Sequence, residues 1–241
     1  MKRITSTIHF DSTASRPKHG LALIYDLEGF STFFNQPDVQ DYVPKFLNEV
    51  SHAISVSIFG GQDYWESEPS KIGMSSLGKY PIHEKFMGDG AMYLWAEDKK
   101  ESFTPEFIYL LCNRLWNLKS NFSAIVKKSH EYVPVTDIPR RIRFGLARGT
   151  IYELCRRNSP QREYIGFCIN LASRLQKYCP DLGFIASARI GITESELDEY
   201  GYIKIVAKQI KGFPREIVIV DRSEFESLTT EIKDQYFDSL E

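Results

Sequence analysis

Apolar residues run without a break from Leu21 to Tyr25 and stop at Asp26. Such a run, bounded by charge, predicts a strand buried on both faces that delivers an aspartate at its carboxyl end. Val39, Tyr42, Val43, Phe46, Leu47, Val50, Ile54 and Ile58 then recur at helical spacing. A helix is expected over 38–58, with Asp38 as N-cap and Pro44 starting or kinking its main part. Residues 60–81 hold Gly and Ser with little periodicity and read as a surface insertion. Residues 83–95, HEKFMGDGAMYLW, read as two short apolar strands joined by a tight turn at 87–90, with Asp89 in the turn.

A second long helix is expected over 105–130, with Phe107, Ile108, Leu111, Leu115, Leu118, Phe122 and Val126 inward. Alternation over 141–149 predicts a strand leading on to 151–155, in which Gly145 and Gly149 suggest close backbone approach. A helix from 166 to about 178 sets Asn170 and Arg174, four residues apart, on one face. Strands near 184–186, 202–206 and 216–220, a helix over 188–197 and an acidic, solvated helical tail complete the pattern. It divides into an N-terminal extension (1–19), one domain (20–220) and the tail (221–241). Helices packed over one sheet are the expected arrangement.

Charge narrows the partners. With 30 basic and 32 acidic residues there is no field favouring nucleic acid or an anionic membrane, so a polyanionic ligand must be held locally. Cys112, Cys155, Cys168 and Cys179 lack zinc spacing and read as reduced thiols. With no apolar leader and no long apolar window, a cytoplasmic protein is expected.

Asp26 at a strand end and Asp89 at a hairpin turn can lie side by side on neighbouring strands and present hard oxygen ligands to one or two divalent cations, and magnesium or manganese fits that set better than zinc. Such a site leaves positions for phosphate oxygens, and phosphoryl transfer needs little beyond positioning and positive charge. Arg174 can support charge on a reacting phosphate, and Asn170 can orient a sugar. Ordinary roles stay open for each: a strand-end cap for Asp26, a solvated helix arginine for Arg174, an exposed hairpin lysine for Lys85. Phe30, Phe33 and Phe34 suit a core as well as a base-stacking platform.

Taken in order, Asp26 in IYDLEGFS, Lys85 and Asp89 in EKFMGDGAMYLW, Gly145 in RIRFGLARG, Asn170 and Arg174 in GFCINLASRL, and Lys211 in KQIKGFPREIVIV resemble the motif set of class III nucleotide cyclases. The resemblance spans about 20–220. It implies an α+β catalytic domain with a ferredoxin-like βαββαβ core and helices packed on a mostly antiparallel sheet. It further implies a homodimer with two Mg2+ or Mn2+ ions per site, held by Asp26, Asp89 and the carbonyl of Leu27 from one chain. Asn170 and Arg174 would come from the other.

Lys85 falls where such enzymes read the base, and its donors argue against guanine while remaining compatible with adenine, uracil or cytosine. Glu163 stands at the partner position, where an adenylate cyclase would usually carry aspartate. Phe30 and Lys211 are further substrate contacts under this resemblance. Phe213 stands where some members place a triphosphate lysine, which leaves that work to Lys211, Lys208 or an arginine among Arg148, Arg156 and Arg157.

The segment YDLEGFSTFFNQPDVQDYVPKFLNEV is similar to the pyrimidine cyclases of bacterial Pycsar antiphage systems. That resemblance implies conversion of UTP or CTP to cyclic UMP or cyclic CMP, read by a separate effector. Adenylate cyclase activity, a nucleotide-sensing cyclase-like module and a different metal-dependent nucleotidyl transferase are the alternatives.

Overall fold

The computed structural model describes residues 10–12, 15–62, 73–97, 102–135, 137–156 and 160–239. Most of the expected N-terminal extension, part of the 60–81 insertion and Arg157 lie outside them. Strand β1 (Lys18–Glu28) is central, and its two faces are both covered, as the unbroken apolar run requires. Leu21, Leu23, Tyr25 and Leu27 face one core; Ala22 and Ile24 face the other. A short helix α1 (Phe30–Phe34) and a 3-10 turn lead to α2 (Val43–Phe59). Pro44 sits in the first turn of α2, where its missing N–H costs nothing. Asp38 makes no side-chain cap and instead adopts a left-handed conformation before the 3-10 turn, which corrects its expected role.

The hairpin comprises β2 (His83–Phe86) and β3 (Gly90–Ala96). Only β3 is buried; β2 is an edge strand, exposed over most of its length. The second long helix is two: α3 (Pro105–Ser120), capped by the Thr104 hydroxyl, and α4 (Phe122–Ser129). Asn121 interrupts the two, although the apolar spacing runs on across it. Strand β4 (Arg141–Cys155) is continuous and is followed by β5 (Arg162–Gly166), α5 (Phe167–Leu175) and β6 (Phe184–Ser187). The expected helix over 188–197 is a 3-10 turn and a short α6 (Glu194–Glu199). The chain then forms β7 (Tyr202–Ile210), β8 (Phe213–Asp221), α7 (Arg222–Ser227), α8 (Thr230–Tyr236) and β9 (Phe237–Asp238).

Among the described residues these strands make one sheet in the order β2-β3-β1-β4-β6-β8-β7-β9, with β5 paired to the far end of β4. Every pairing is antiparallel except β4 with β6. Helices α2, α3 and α4 cover one face; α5 and α8 contribute to the core on the other. The tail is helical as expected over α7 and α8, neither of which has a buried residue, but it is not solvated throughout: β9 pairs with β7, and Leu228 and Phe237 are buried.

Candidate active site

The two aspartates meet where the hairpin joins β1. Asp26 is opposite Gly90 on one side and Arg143 on the other. A Cβ on Gly90 would lie 1.9 Å from the carbonyl oxygen of Tyr25, so only glycine lets the strands close here. Gly88 takes the turn at a φ of 99°. The tip is tied down by Met87 N–H donating to the Gly90 carbonyl at 2.8 Å and Leu27 N–H donating to the Asp89 carbonyl at 3.0 Å. N–H and C=O of one strand residue point to the same neighbour, so the Leu27 carbonyl lies on the Asp89 side.

Burial, and then the adjacent Asp26 carboxylate, push the Asp89 carboxyl above its ordinary range, with the Lys177 ammonium opposing them. The Arg143 guanidinium pairs with Asp26. Two crowded carboxylates beside a carbonyl are a hard oxygen set, and a divalent cation would relieve their repulsion. Among the described residues no group of three or more His, Cys, Asp or Glu could hold a metal ion. Further coordination positions would therefore fall to carbonyl, water or substrate oxygens. These residues fit magnesium or manganese.

Lys85 and Glu163, 78 residues apart, form an ion pair at 2.9 Å. Strand β5 brings Glu163 there, and the rings of His83 and Tyr164 pack together beside it at 5.1 Å. Asn170 and Arg174 project from α5, whose other side buries Cys168, Leu171, Ala172 and Leu175. Neither side chain has a hydrogen bond or ion pair to another described residue, so among the described residues no side-chain contact links them to Asp26 or Asp89. Lys211 is exposed in the β7–β8 turn. Phe30 is half-buried, stacks on Phe34 and lines an open apolar cavity of about 510 Å³ with Val43, Leu47 and Phe86.

Several basic candidates are already engaged. Arg148 donates to Glu97 at 2.6 Å, and Lys208 donates to the Asp234 carbonyl at 2.8 Å and pairs with Asp238 at 2.9 Å. Arg143 and Lys177, which sequence reasoning missed, are the cations the fold brings to the aspartates. Their only signal is cross-strand register and the end of α5, neither of which is visible locally.

No protein-family model matches the chain, and no curated protein matches it. The solved structures do. The adenylyl cyclase CyaB from P. aeruginosa superposes with a TM-score of 0.59 at 18% identity, over 86% of this chain and 96% of that one. This chain has the fold of the class III cyclase catalytic domains. The guanylyl cyclase Cya2 gives 0.51 at 15% identity, over 87% and 93%. The catalytic core of a rhodopsin-guanylyl cyclase with converted specificity, in complex with ATPalphaS, gives 0.50 at 12%, over 94% and 99%. The α+β class III cyclase fold expected from the motifs is therefore borne out.

Proposed function

We propose that this chain is a nucleotide cyclase that converts UTP or CTP into a 3′,5′-cyclic nucleotide and diphosphate. The observation that carries the proposal is the Asp26–Asp89 carboxylate pair at the junction of β1 and the hairpin, in a fold shared with adenylyl and guanylyl cyclases. Asp26, Asp89 and the Leu27 carbonyl would hold two Mg2+ or Mn2+ ions. Bound there, the ions would lower the pKa of the attacking 3′-hydroxyl and neutralise the leaving diphosphate.

The rest follows from the chain's own side chains. Arg143, which pairs with Asp26, turns to phosphate oxygens, and Lys177 supports it. Lys85 and Glu163 face the base, with Phe30 and Lys211 as further substrate contacts. Asn170 orients the ribose, and Arg174 supports the charge that grows on the reacting phosphate.

The Asn170 and Arg174 side chains have no partners among the described residues, which suits a homodimer in which they complete the metal half-site of the other protomer. Lys85 supplies donors only, which disfavours guanine. The cyclic product serves as a second messenger in bacterial antiphage defence, formed in the cytoplasm and read by a separate effector.

Mixing inactive variants tests the shared site. Asp26→Ala and Arg174→Ala should each be dead alone, while an equimolar mixture recovers about a quarter of wild-type activity through heterodimers carrying one intact site. Mixtures that form heterodimers yet stay dead would sink the two-chain site.

A further inference from the structure

Glu163 is held by two cations rather than one. Its Oε2 accepts from Lys85 Nζ at 2.9 Å, and its Oε1 accepts from Arg156 Nη2. Arg156 Nη1 donates in turn to Gln161 Oε1 at 3.0 Å. Three separate pieces of chain converge here: β2 brings Lys85, β5 brings Glu163, and the residue after β4 is Arg156. Lys85, and then Arg156, hold the Glu163 carboxyl below its ordinary range, so it is ionised and acts only as an acceptor.

Both carboxylate oxygens are therefore engaged, while donors remain in surplus. An ammonium has three N–H groups and a guanidinium five, and this cluster uses only some of them. Arg156 Nε is buried with no acceptor among the described residues, a donor that an arriving acceptor would satisfy. The cluster carries one more positive than negative charge, counting Lys85, Arg156 and Glu163. An edge that offers an exocyclic amine meets donors here, whereas an edge that offers carbonyl oxygens meets what it needs. Uracil presents two carbonyls flanking one N–H; cytosine and adenine each present an amine.

We infer that Arg156 is a specificity-determining residue: by occupying Glu163 it turns the Lys85–Glu163 pair into a donor site, which favours UTP over CTP and ATP. The inference rests on the reading of Lys85 and Glu163 as the base contact of a cyclase. Arg156→Gln frees one Glu163 oxygen to accept from an exocyclic amine and removes a cation that faces carbonyl oxygens. Arg156→Lys keeps the cation.

The experiment measures equilibrium binding of 3′-deoxy-UTP, 3′-deoxy-CTP and 3′-deoxy-ATP, which cannot cyclise, in the presence of manganese, for the wild type and both variants. In parallel, kcat/KM is measured for UTP, CTP and ATP. The wild type should bind the uridine analogue tightest. Arg156→Gln should narrow its preference over both amine-bearing analogues by about tenfold or more. Arg156→Lys should hold the preference to within about threefold of wild type.

A wild type that prefers the adenosine or cytidine analogue, or Arg156→Gln with unchanged ratios, overturns the inference. Should Arg156→Gln fail to fold, the wild-type preference and Arg156→Lys still decide. If the binding preference behaves as stated while no cyclic nucleotide forms, the inference stands and the cyclase reading falls. Binding of none of the three analogues overturns both.

Discussion

Replacing Gly145 by alanine should damage the site from beneath. In β4, Gly145 lies under α5, and a Cβ there would sit 2.1 Å from the Ala172 carbonyl oxygen and 2.6 Å from the Gln176 nitrogen. Both are backbone atoms, so no side chain can swing aside. Ordinary contact begins near 3.4 Å, which requires α5 to retreat by about 1.3 Å. Overpacking of this kind costs about 1–3 kcal/mol. For a chain of this size each kcal/mol lowers Tm by about 2–4 °C, so a fall of about 2–12 °C is expected. Because α5 carries Asn170 and Arg174, the same displacement should cut kcat by about 100-fold, the typical penalty for a 1 Å misplacement.

Gly149→Ala provides the comparison. Its Cβ would meet the Phe167 ring at 2.6 Å, and a side chain can rotate away, so the loss should be smaller in both measurements. Thermal melts followed by circular dichroism and steady-state kinetics with manganese give the two quantities. A Gly145→Ala protein with wild-type Tm and kcat would refute the account of how α5 is seated.

Two further outcomes are expected. Asp89→Asn should abolish turnover yet stabilise the metal-free protein at neutral pH, by less than about 1 kcal/mol because the carboxylate is only partly buried and water still screens it. The folded-state pKa of Asp89 lies above its unfolded value, so the destabilisation is present above the folded pKa and relieved as pH falls through it. Denaturant titrations from neutral pH downward should show that dependence in the wild type and lose it in Asp89→Asn, whereas added manganese should stabilise the wild type most at neutral pH. Tyr178→Phe should lower Tm by about 2–6 °C, since its hydroxyl hydrogen-bonds to the carbonyls of Lys208 and Tyr236 and fastens the C-terminal segment to the turn after α5. A variant that melts like the wild type would show that the ring contacts with Tyr236 and Phe237 alone hold the segment.

The parts of the molecule written as runs and periods were legible. The doubly buried β1, the Asp89 hairpin, the start of α2 at Pro44 and the glycines beneath α5 all follow from local chemistry. What stayed hidden depends on distant pairing. Strand β5 is five residues of mixed polarity and becomes a strand because β4 extends far enough to pair with it. The break between α3 and α4 is invisible because Leu118, Phe122 and Val126 keep helical spacing across Asn121. Phe237 looked like part of a polar tail, and its burial is set by the edge of β7.

At the site, Asp26 and Asp89 were visible as a pair, but Arg143 was not. It reaches Asp26 only because residues 117 apart come into register between β1 and β4. Likewise the link from Arg156 to Glu163 depends on how the β4–β5 connection folds back, although the two are only seven residues apart.

The central claim is that the Asp26–Asp89 site cyclises a pyrimidine nucleotide. Incubating the pure protein with manganese and each of ATP, GTP, CTP and UTP, then identifying the products by mass, tests it most directly. The account predicts a cyclic monophosphate and diphosphate from UTP or CTP, absent with Asp26→Asn. Cyclic AMP as the main product would contradict the pyrimidine assignment, and linear condensation products or no product from any nucleotide would contradict the cyclase itself.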